Sequence, residues 1–365
     1  MKRAVDTPFL LAFLALIVFG LLIFTSAALG LLARDGGATF SSVAVSQLLL
    51  GFLAGGVALI VLSRMDYREW KAYTPYFFGF ALLLTVLTFV PHVGLELKGA
   101  ARWLSLGPLS FQPAELLKLA SVAFLAAIYA ANIRKTHTLR GSFVPLALVG
   151  GSAAALLLLQ PDTASAVILV IGCAAVLFAA GGRVLYFMLL ALVGVGIIVG
   201  AATVYPHVKQ RLVTFIDQSA DPQGGGYQIQ QSLIAVGSGG LSGRGFGQSV
   251  EKFSYLPEPI GDSIFAVAAE EFGFLGSVAL VLLYVCVALL GLRIAARAPD
   301  PFGGLLVVGI VALIVSQSLL NIASSVGLVP LIGVPLIFVS HGGTALAISL
   351  AEVGVILSVS RRMKS

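Results

Sequence analysis

Between Pro113 and Ala131 the chain reads PAELLKLASVAFLAAIYAA. After its first two turns this run is apolar throughout. At ~1.5 Å per residue it is long enough for a hydrocarbon core of about 30 Å. Nine further stretches carry the same signal: Pro8–Leu32, Val43–Leu62, Tyr73–Val90, Phe143–Leu159, Ala164–Ala180, Val184–Tyr205, Ser263–Leu292, Phe302–Val326 and Pro335–Val359. The sequence therefore predicts an all-α polytopic membrane protein with ten transmembrane helices, forming one transmembrane domain over residues 1–365. Ser263–Leu292 is too long for one straight crossing, so Ser263–Phe274 is expected to be a partly exposed or re-entrant piece, with Leu275–Leu292 crossing.

Composition excludes the alternatives. The 365 residues are 59% hydrophobic and 10% charged, with a mean hydropathy of +1.04. A soluble domain carries about 25% charge. A disordered chain needs low hydrophobicity, and a transmembrane β-barrel needs alternation rather than long apolar runs. The 41 glycines follow no collagen period. Cys173 and Cys286 both lie inside apolar runs, which leaves no disulfide framework or zinc site. The first apolar run is too long for the core of a cleaved signal peptide and has no A-x-A site after it.

The basic residues orient the spans. With the N-terminus cytoplasmic, Lys2, Arg3, Arg64, Arg68, Lys71, Arg134, Lys135, Arg140, Arg183, Arg293, Arg297, Arg361, Arg362 and Lys364 fall inside. Arg34, Lys98, Arg102, Lys209, Arg211, Arg244 and Lys252 fall outside, and Lys118 lies within a span. A two-to-one bias in short loops is the positive-inside pattern, so both termini are expected in the cytoplasm. The outer side then holds the two substantial loops, about 91–112 and, between helices 7 and 8, about 206–262. Any chemistry is expected there.

No P-loop is present, and the Gly237–Gly247 run lacks the strand-then-helix setting of a dinucleotide site. His92, His137, His207 and His341 show no metal-ligand spacing. Glu115 and Lys118, at i and i+3, share a helix face near the outer end of the fourth span. They read either as a structural ion pair or as a cation held ready for an anionic head group. Asp262 ends SYLPEPIGD, residues 254–262, at the water–lipid boundary; it reads either as a helix N-cap or as a base whose pKa is raised by desolvation. Glu270 and Glu271 read as buried anchors in preference to a second acid pair. The Gly237–Gly245 run beside Arg244 is either a flexible loop or a nest for phosphate. Gln317 and Asn321 read as helix–helix glue.

In order along the chain stand Gly99-Ala-Ala-Arg102-Trp103, Phe111-Gln-Pro-Ala-Glu115-Leu-Leu-Lys118, Gln160-Pro161-Asp162, Arg211–Phe215, Tyr227-Gln, Gln231-Ser-Leu, Gly237-Ser-Gly-Gly-Leu, Leu256-Pro-Glu258, Asp262, Asn321, Gly327, Pro330, Gly333, Pro335 and Ser340-His-Gly-Gly343. This ordered set resembles the SEDS family, the shape, elongation, division and sporulation glycosyltransferases, over nearly the whole chain. Three places depart from the family pattern: Gly261-Asp262-Ser263 for Thr-Asp-Phe, Ala114 for Ser, and His341 for Tyr. The acidic and basic positions are kept.

The resemblance implies polymerisation of lipid II on a glycan linked to undecaprenyl pyrophosphate, at the outer face of the bacterial cytoplasmic membrane. An α-linked donor giving a β-1,4 product implies one inverting displacement, for which one base suffices. Asp262 would be that base. Lys118, Arg102 and Arg211 would face the pyrophosphates, and Glu115, Glu258, Gln160, Asp162 and Ser340 would complete the substrate-binding set. A divalent cation, magnesium or manganese, is an expected helper; no nucleotide, haem or organic cofactor is. Expected partners are a class B penicillin-binding protein and other elongation-complex membrane proteins, with no nucleic acid. The short termini point to the elongation branch. The rival readings are a lipid II flippase, which needs cations through the bilayer depth, and a non-catalytic cell-wall scaffold.

Overall fold

The computed structural model describes residues 5–35, 43–97, 100–107, 109–204 and 206–363. Lys2, Arg3, Lys98, Gly99, Tyr205 and Lys364 lie outside the described residues. Each predicted apolar stretch falls on a helix: α1 (Thr7–Asp35), α2 (Val43–Arg64), α3 (Tyr67–Leu87), α4 (Pro113–Ala131), α5 (Leu139–Leu159), α6 (Thr163–Ala179), α7 (Val184–Val204), α10 (Ile264–Ala296), α11 (Pro301–Ser325) and α12 (Gly343–Ser360). The long connection carries the shorter helices α8 (Pro206–Ile216) and α9 (Gly225–Ser238) and a single helical turn at Glu251–Ser254. Among the described residues, seven helices (α1, α2, α4, α5, α10, α11 and α12) are long and apolar enough to cross a membrane.

Local signals set several ends. Pro113 occupies the first turn of α4, where its missing N–H costs nothing. Asp66 caps α3 by accepting from the Arg68 N–H, so the helix starts six residues before the apolar run. Asp162 caps α6 through the Ser165 N–H at 3.1 Å. Between α3 and α4 the chain forms an antiparallel sheet of β1 (Gly94–Leu97), β2 (Ala100–Leu106) and β3 (Leu109–Phe111), with Trp103 opposite Leu95 and Leu104 opposite Phe111.

The bundle is layered around three inner helices. The apolar windows of α4, α11 and α12 are 72%, 67% and 89% buried, against 17% for α2 and 22% for α10, which expose one side to the surroundings. Helix α12 packs against α2, α11 lies between α4, α6 and α10, and α1 packs on α10. Inner helices of this kind are apolar all round, whereas a peripheral one buries a stripe.

Two expectations need correction. The last span starts at Gly343, not Pro335. Residues 335–342 form an irregular loop in which Leu336, Ile337, Phe338 and Val339 are nonetheless buried. The ring of Phe338 meets Phe13 of α1 edge-on at 5.3 Å. Buried irregular backbone is tolerated where protein groups satisfy it, and hydropathy cannot separate such a loop from a helix. The start of α10 is also not exposed: Ile264–Glu271 is buried throughout. The helix does break close to the boundary expected after Phe274, at Gly273, with φ of 66°.

Candidate functional site

Asp262 sits in the turn before α10. The N-cap position there belongs to Ser263, one residue on, so the N-cap reading of Asp262 does not describe this helix. What stands out is how its backbone is held. The carbonyl of Ile260 accepts from the His341 N–H at 2.7 Å. That of Gly261 accepts from the Ser340 hydroxyl at 2.8 Å. That of Asp262 accepts from the Asn321 amide at 3.1 Å and the Ser325 hydroxyl at 3.4 Å. Three consecutive carbonyls are thus pinned by α11 and by the loop before α12. The loop is fixed in turn by Gln47 of α2, which accepts from the Gly342 N–H at 3.1 Å and donates to the Ser340 carbonyl at 3.3 Å. Ser340, expected as a substrate ligand, is part of this clamp.

The Asp262 carboxyl faces the same loop, for a Cβ on Gly333 would stand 3.4 Å from its Oδ2. Arg211 of α8 lies within electrostatic reach of Asp262, Asp162 and Arg102. Burial lowers its pKa from the ordinary guanidinium value, the Arg102 charge pushes the same way, and the two carboxylates oppose them. It stays charged, because a guanidinium is not deprotonated in proteins. Among the described residues its donors have no hydrogen-bond partner. Arg102 is differently placed. Its guanidinium donates to the carbonyls of Gln160 and Pro161, holding β2 against the start of α6.

Gln160 is likewise occupied: its amide donates to the Thr88 hydroxyl at 2.6 Å and the Thr85 carbonyl at 3.2 Å of the α3 end. With Asp162 capping α6, this part of the expected substrate set does structural work. Glu258 is exposed in a tight turn, with φ of 47°, whose carbonyl accepts from the Gly261 and Ser263 N–H groups.

Deeper in the bundle, Lys118 donates to Glu115 at 2.9 Å and to the Gln317 side-chain carbonyl at 2.5 Å, and all three are buried. Glu352 of α12 is buried within electrostatic reach of the pair. The two layers are connected along α11. Gln317 reaches the Pro335 carbonyl at 3.4 Å, and Asn321, one turn on, reaches those of Val334 and Asp262. Spacing of four residues is ~6 Å along the axis, so the pair links Lys118 to the Asp262 turn through one loop. They are more than helix–helix glue.

The glycine-rich run is not a phosphate nest. The N–H groups of Arg244 and Gly245 donate to the carbonyls of Glu270 and Glu271 at 3.0 Å. Those of Phe274 and Leu275 donate back to Gly240 and Leu241. The run is zipped onto the break in α10 so closely that a Cβ on Gly243 would stand 2.1 Å from the Glu271 carbonyl oxygen. Arg244 pairs with Glu270 at 3.5 Å. Glu270 and Glu271 are buried anchors, as expected.

Their main partner is a residue the sequence reading passed over. Lys252, counted among the outer-loop cations, is fully buried, 2.5 Å from Glu271 and 2.8 Å from the Ser26 hydroxyl of α1. Only its spacing of 19 residues from an embedded acid pair could have hinted at this. Among the described residues no three His, Cys, Asp or Glu side chains form a metal-binding group.

A family model described as FtsW/RodA/SpoVE, cell cycle protein, matches residues 7–365. Stage V sporulation protein E of Bacillus subtilis is 37% identical over 307 residues, 84% of each chain. A probable peptidoglycan glycosyltransferase FtsW of Coxiella burnetii is 36% identical over 363 residues, covering 97% of this chain and 96% of that one. Among solved structures, one from a peptidoglycan synthase complex that coordinates polymerization and crosslinking superposes with a TM-score of 0.79 at 28% identity over 98% of both chains. The rod shape determining protein RodA of Thermus thermophilus gives 0.68 at 27% over 99% of both.

Proposed function

The chain belongs to the FtsW/RodA/SpoVE family of cell cycle proteins, and from that premise we propose that it is a peptidoglycan glycosyltransferase. It polymerises lipid II at the outer face of the cytoplasmic membrane, on a frame of ten spans with both termini inside. The observation that carries the reading is the pairing of Asp262, on a backbone held at three successive carbonyls, with Arg211, a half-buried cation whose donors no described residue takes up.

The chemistry follows from that pairing. Asp262 takes the proton of the acceptor sugar's 4-hydroxyl as its oxygen attacks the anomeric carbon of the donor. The bond to the pyrophosphate breaks on the opposite face, and undecaprenyl pyrophosphate leaves without a general acid if its charge is neutralised. Arg211 supplies a bidentate donor, and Lys118, oriented by Glu115 and Gln317, a point charge nearer the lipid. Helix dipoles add to both. Thr344 of α12 bonds to Ser110 and Gln112 just before α4, and Ser340 and His341 bond the turn before α10. These contacts bring the N-terminal ends of α4, α10 and α12 to one region, and a helix N-terminus is worth about 0.3–1 kcal/mol to a nearby anion. A magnesium or manganese ion fits if Asp262 and substrate phosphates hold it, since one or two carboxylates suffice; bound there it would neutralise pyrophosphate charge.

The chain is expected to work with a class B penicillin-binding protein that crosslinks the new strands, and with other membrane proteins of the elongation complex. The relative solved within a synthase complex supports a partner of that kind. The elongation role is read from depletion in cells: loss of rod shape is the expected result, and failed septation would move the chain to division. For the activity itself, full-length protein with its partner is incubated with labelled lipid II in detergent. Wild type is expected to make glycan polymer and Asp262→Asn none, with partner binding retained; equal polymer from both would remove Asp262 from the reaction.

A further inference from the structure

Beside the Asp262 turn lies a separate pocket of about 210 Å³, lined by Gln210, Arg211 and Thr214 of α8, by Asp221, by Gly225 and Ile229 of α9, and by Leu331. Pockets for drug-sized ligands occupy about 300–1,000 Å³, so this smaller, partly open space is of a size to seat a single ring. Its walls are of two kinds. Ile229 and Leu331 offer an apolar face, and the rest offer carboxylate, amide, hydroxyl and guanidinium groups.

Thr214 lines this pocket and is only 3% exposed, and its hydroxyl makes no hydrogen bond to another described residue. A hydroxyl that faces a pocket is satisfied by whatever occupies it, water or a ligand. Asp221 already accepts from the Gly225 N–H at 2.8 Å and from Gln210 at 3.3 Å, both on Oδ2, which leaves Oδ1 available. The carboxylate repels a phosphate but accepts from hydroxyls. An aliphatic wall facing a mixed set of donors and acceptors suits a sugar ring, with its C–H face and its rim of hydroxyls and amide.

The pocket also stands next to the base. Gln228, adjacent to Ile229, donates to the Ser263 hydroxyl at 3.0 Å. Leu331 is two residues from Gly333, whose Cβ position lies 3.4 Å from Asp262 Oδ2, and Arg211 is shared by both places. Resting on the glycosyltransferase reading above, we infer that this pocket seats the terminal N-acetylhexosamine ring of the acceptor, with Thr214 and Asp221 fixing the ring so that one hydroxyl reaches Asp262.

The test uses the full chain with its partner and labelled lipid II. Thr214→Val keeps the shape and removes one hydrogen bond. It is expected to raise KM for lipid II roughly three- to tenfold and leave kcat within about twofold. Leu331→Trp, which fills the pocket from its rim, is expected to weaken lipid II binding at least about tenfold when measured without turnover in the Asp262→Asn background. Wild-type KM in Thr214→Val together with unchanged binding in Leu331→Trp would overturn the assignment. So would shortened glycan at an unchanged initial rate, which would place the growing donor chain in the pocket. Polymer from Asp262→Asn would instead sink the glycosyltransferase mechanism, and the two failures are read separately.

Discussion

Two corners at the Asp262 end of the bundle use the same ingredients, buried charge and glycine-rich backbone, and finish them differently. Around Glu270 and Glu271 the polar groups answer one another. Lys252 and Ser26 meet Glu271, Ser249 and Arg244 meet Glu270, and the Arg244 and Gly245 N–H groups meet helix carbonyls just before the Gly273 break. Around Asp262 the backbone is held just as firmly, but Arg211 and Thr214 keep donors that no described residue accepts. A buried network that closes on itself contributes rigidity, and one that stays open toward a cavity has been left for something that arrives later.

The sharpest way to break the contrast is Asp262→Asn. Loss of a general base costs about 10²- to 10⁴-fold in rate, so polymer formation is expected to fall by at least about a hundredfold. The thermal unfolding midpoint of the detergent-solubilised complex is expected to hold, because the clamp bonds the backbone carbonyl of residue 262, which an isosteric Asn leaves in place. A fall in both would make the residue structural.

Lys252→Met should give the opposite pattern. It strands Glu271 in a buried site, and breaking one side of a buried pair costs about 3–5 kcal/mol. The expected result is poor yield of folded protein, with Lys252→Met/Glu271→Met recovering much of it. Normal yield from the single variant would mean that this corner is not the rigid one.

Between these lies Arg211→Gln. Removing one oriented donor from a developing charge costs about 10²- to 10³-fold in kcat, and no described hydrogen bond is broken by it. A hundredfold loss of turnover with unchanged folding is expected. Full activity would pass the pyrophosphate to Lys118 and Arg102 alone.

The sequence made the helices legible because a membrane span is a composition signal, strong in any chain whose backbone must satisfy itself in lipid. Pro113–Ala131 matches to the residue since Pro113 fixes its start. The eight residues before Gly343 were misjudged because Leu336–Val339 are as apolar as a helix, and their burial in irregular backbone depends on distant groups such as Asn321, Gln47 and Tyr284. The site divides in the same way. Asp262, Glu115 and Lys118 stand out locally, as charges next to apolar runs. Nothing local separates Lys252 in a hydrophilic loop from a solvated lysine, or Arg102, which ties two segments together, from Arg211, which does not. Those distinctions live in contacts between segments, 19 residues apart for Lys252 with Glu271 and 58 for Arg102 with Gln160.

The smallest expected effect falls on Arg244, and it tests the contrast from its weaker side. A guanidinium beside consecutive glycines looks like an anion site, and on that view Arg244→Gln should cut turnover as Arg211→Gln does. The geometry argues otherwise: the N–H groups of Arg244 and Gly245 already bond the carbonyls of Glu270 and Glu271, and Arg244 makes a 3.5 Å pair with its own side chain 41% exposed. A half-exposed pair contributes about 0–1 kcal/mol. Part of any loss should come from Glu270, which keeps the Ser249 hydroxyl and Val250 N–H as partners. Polymer formation by Arg244→Gln is therefore expected within about threefold of wild type, with at most a slight drop in thermal stability. A hundredfold loss would show that the glycine-rich corner opens during turnover, and the distinction between a closed and an open network would have to be redrawn around a moving loop.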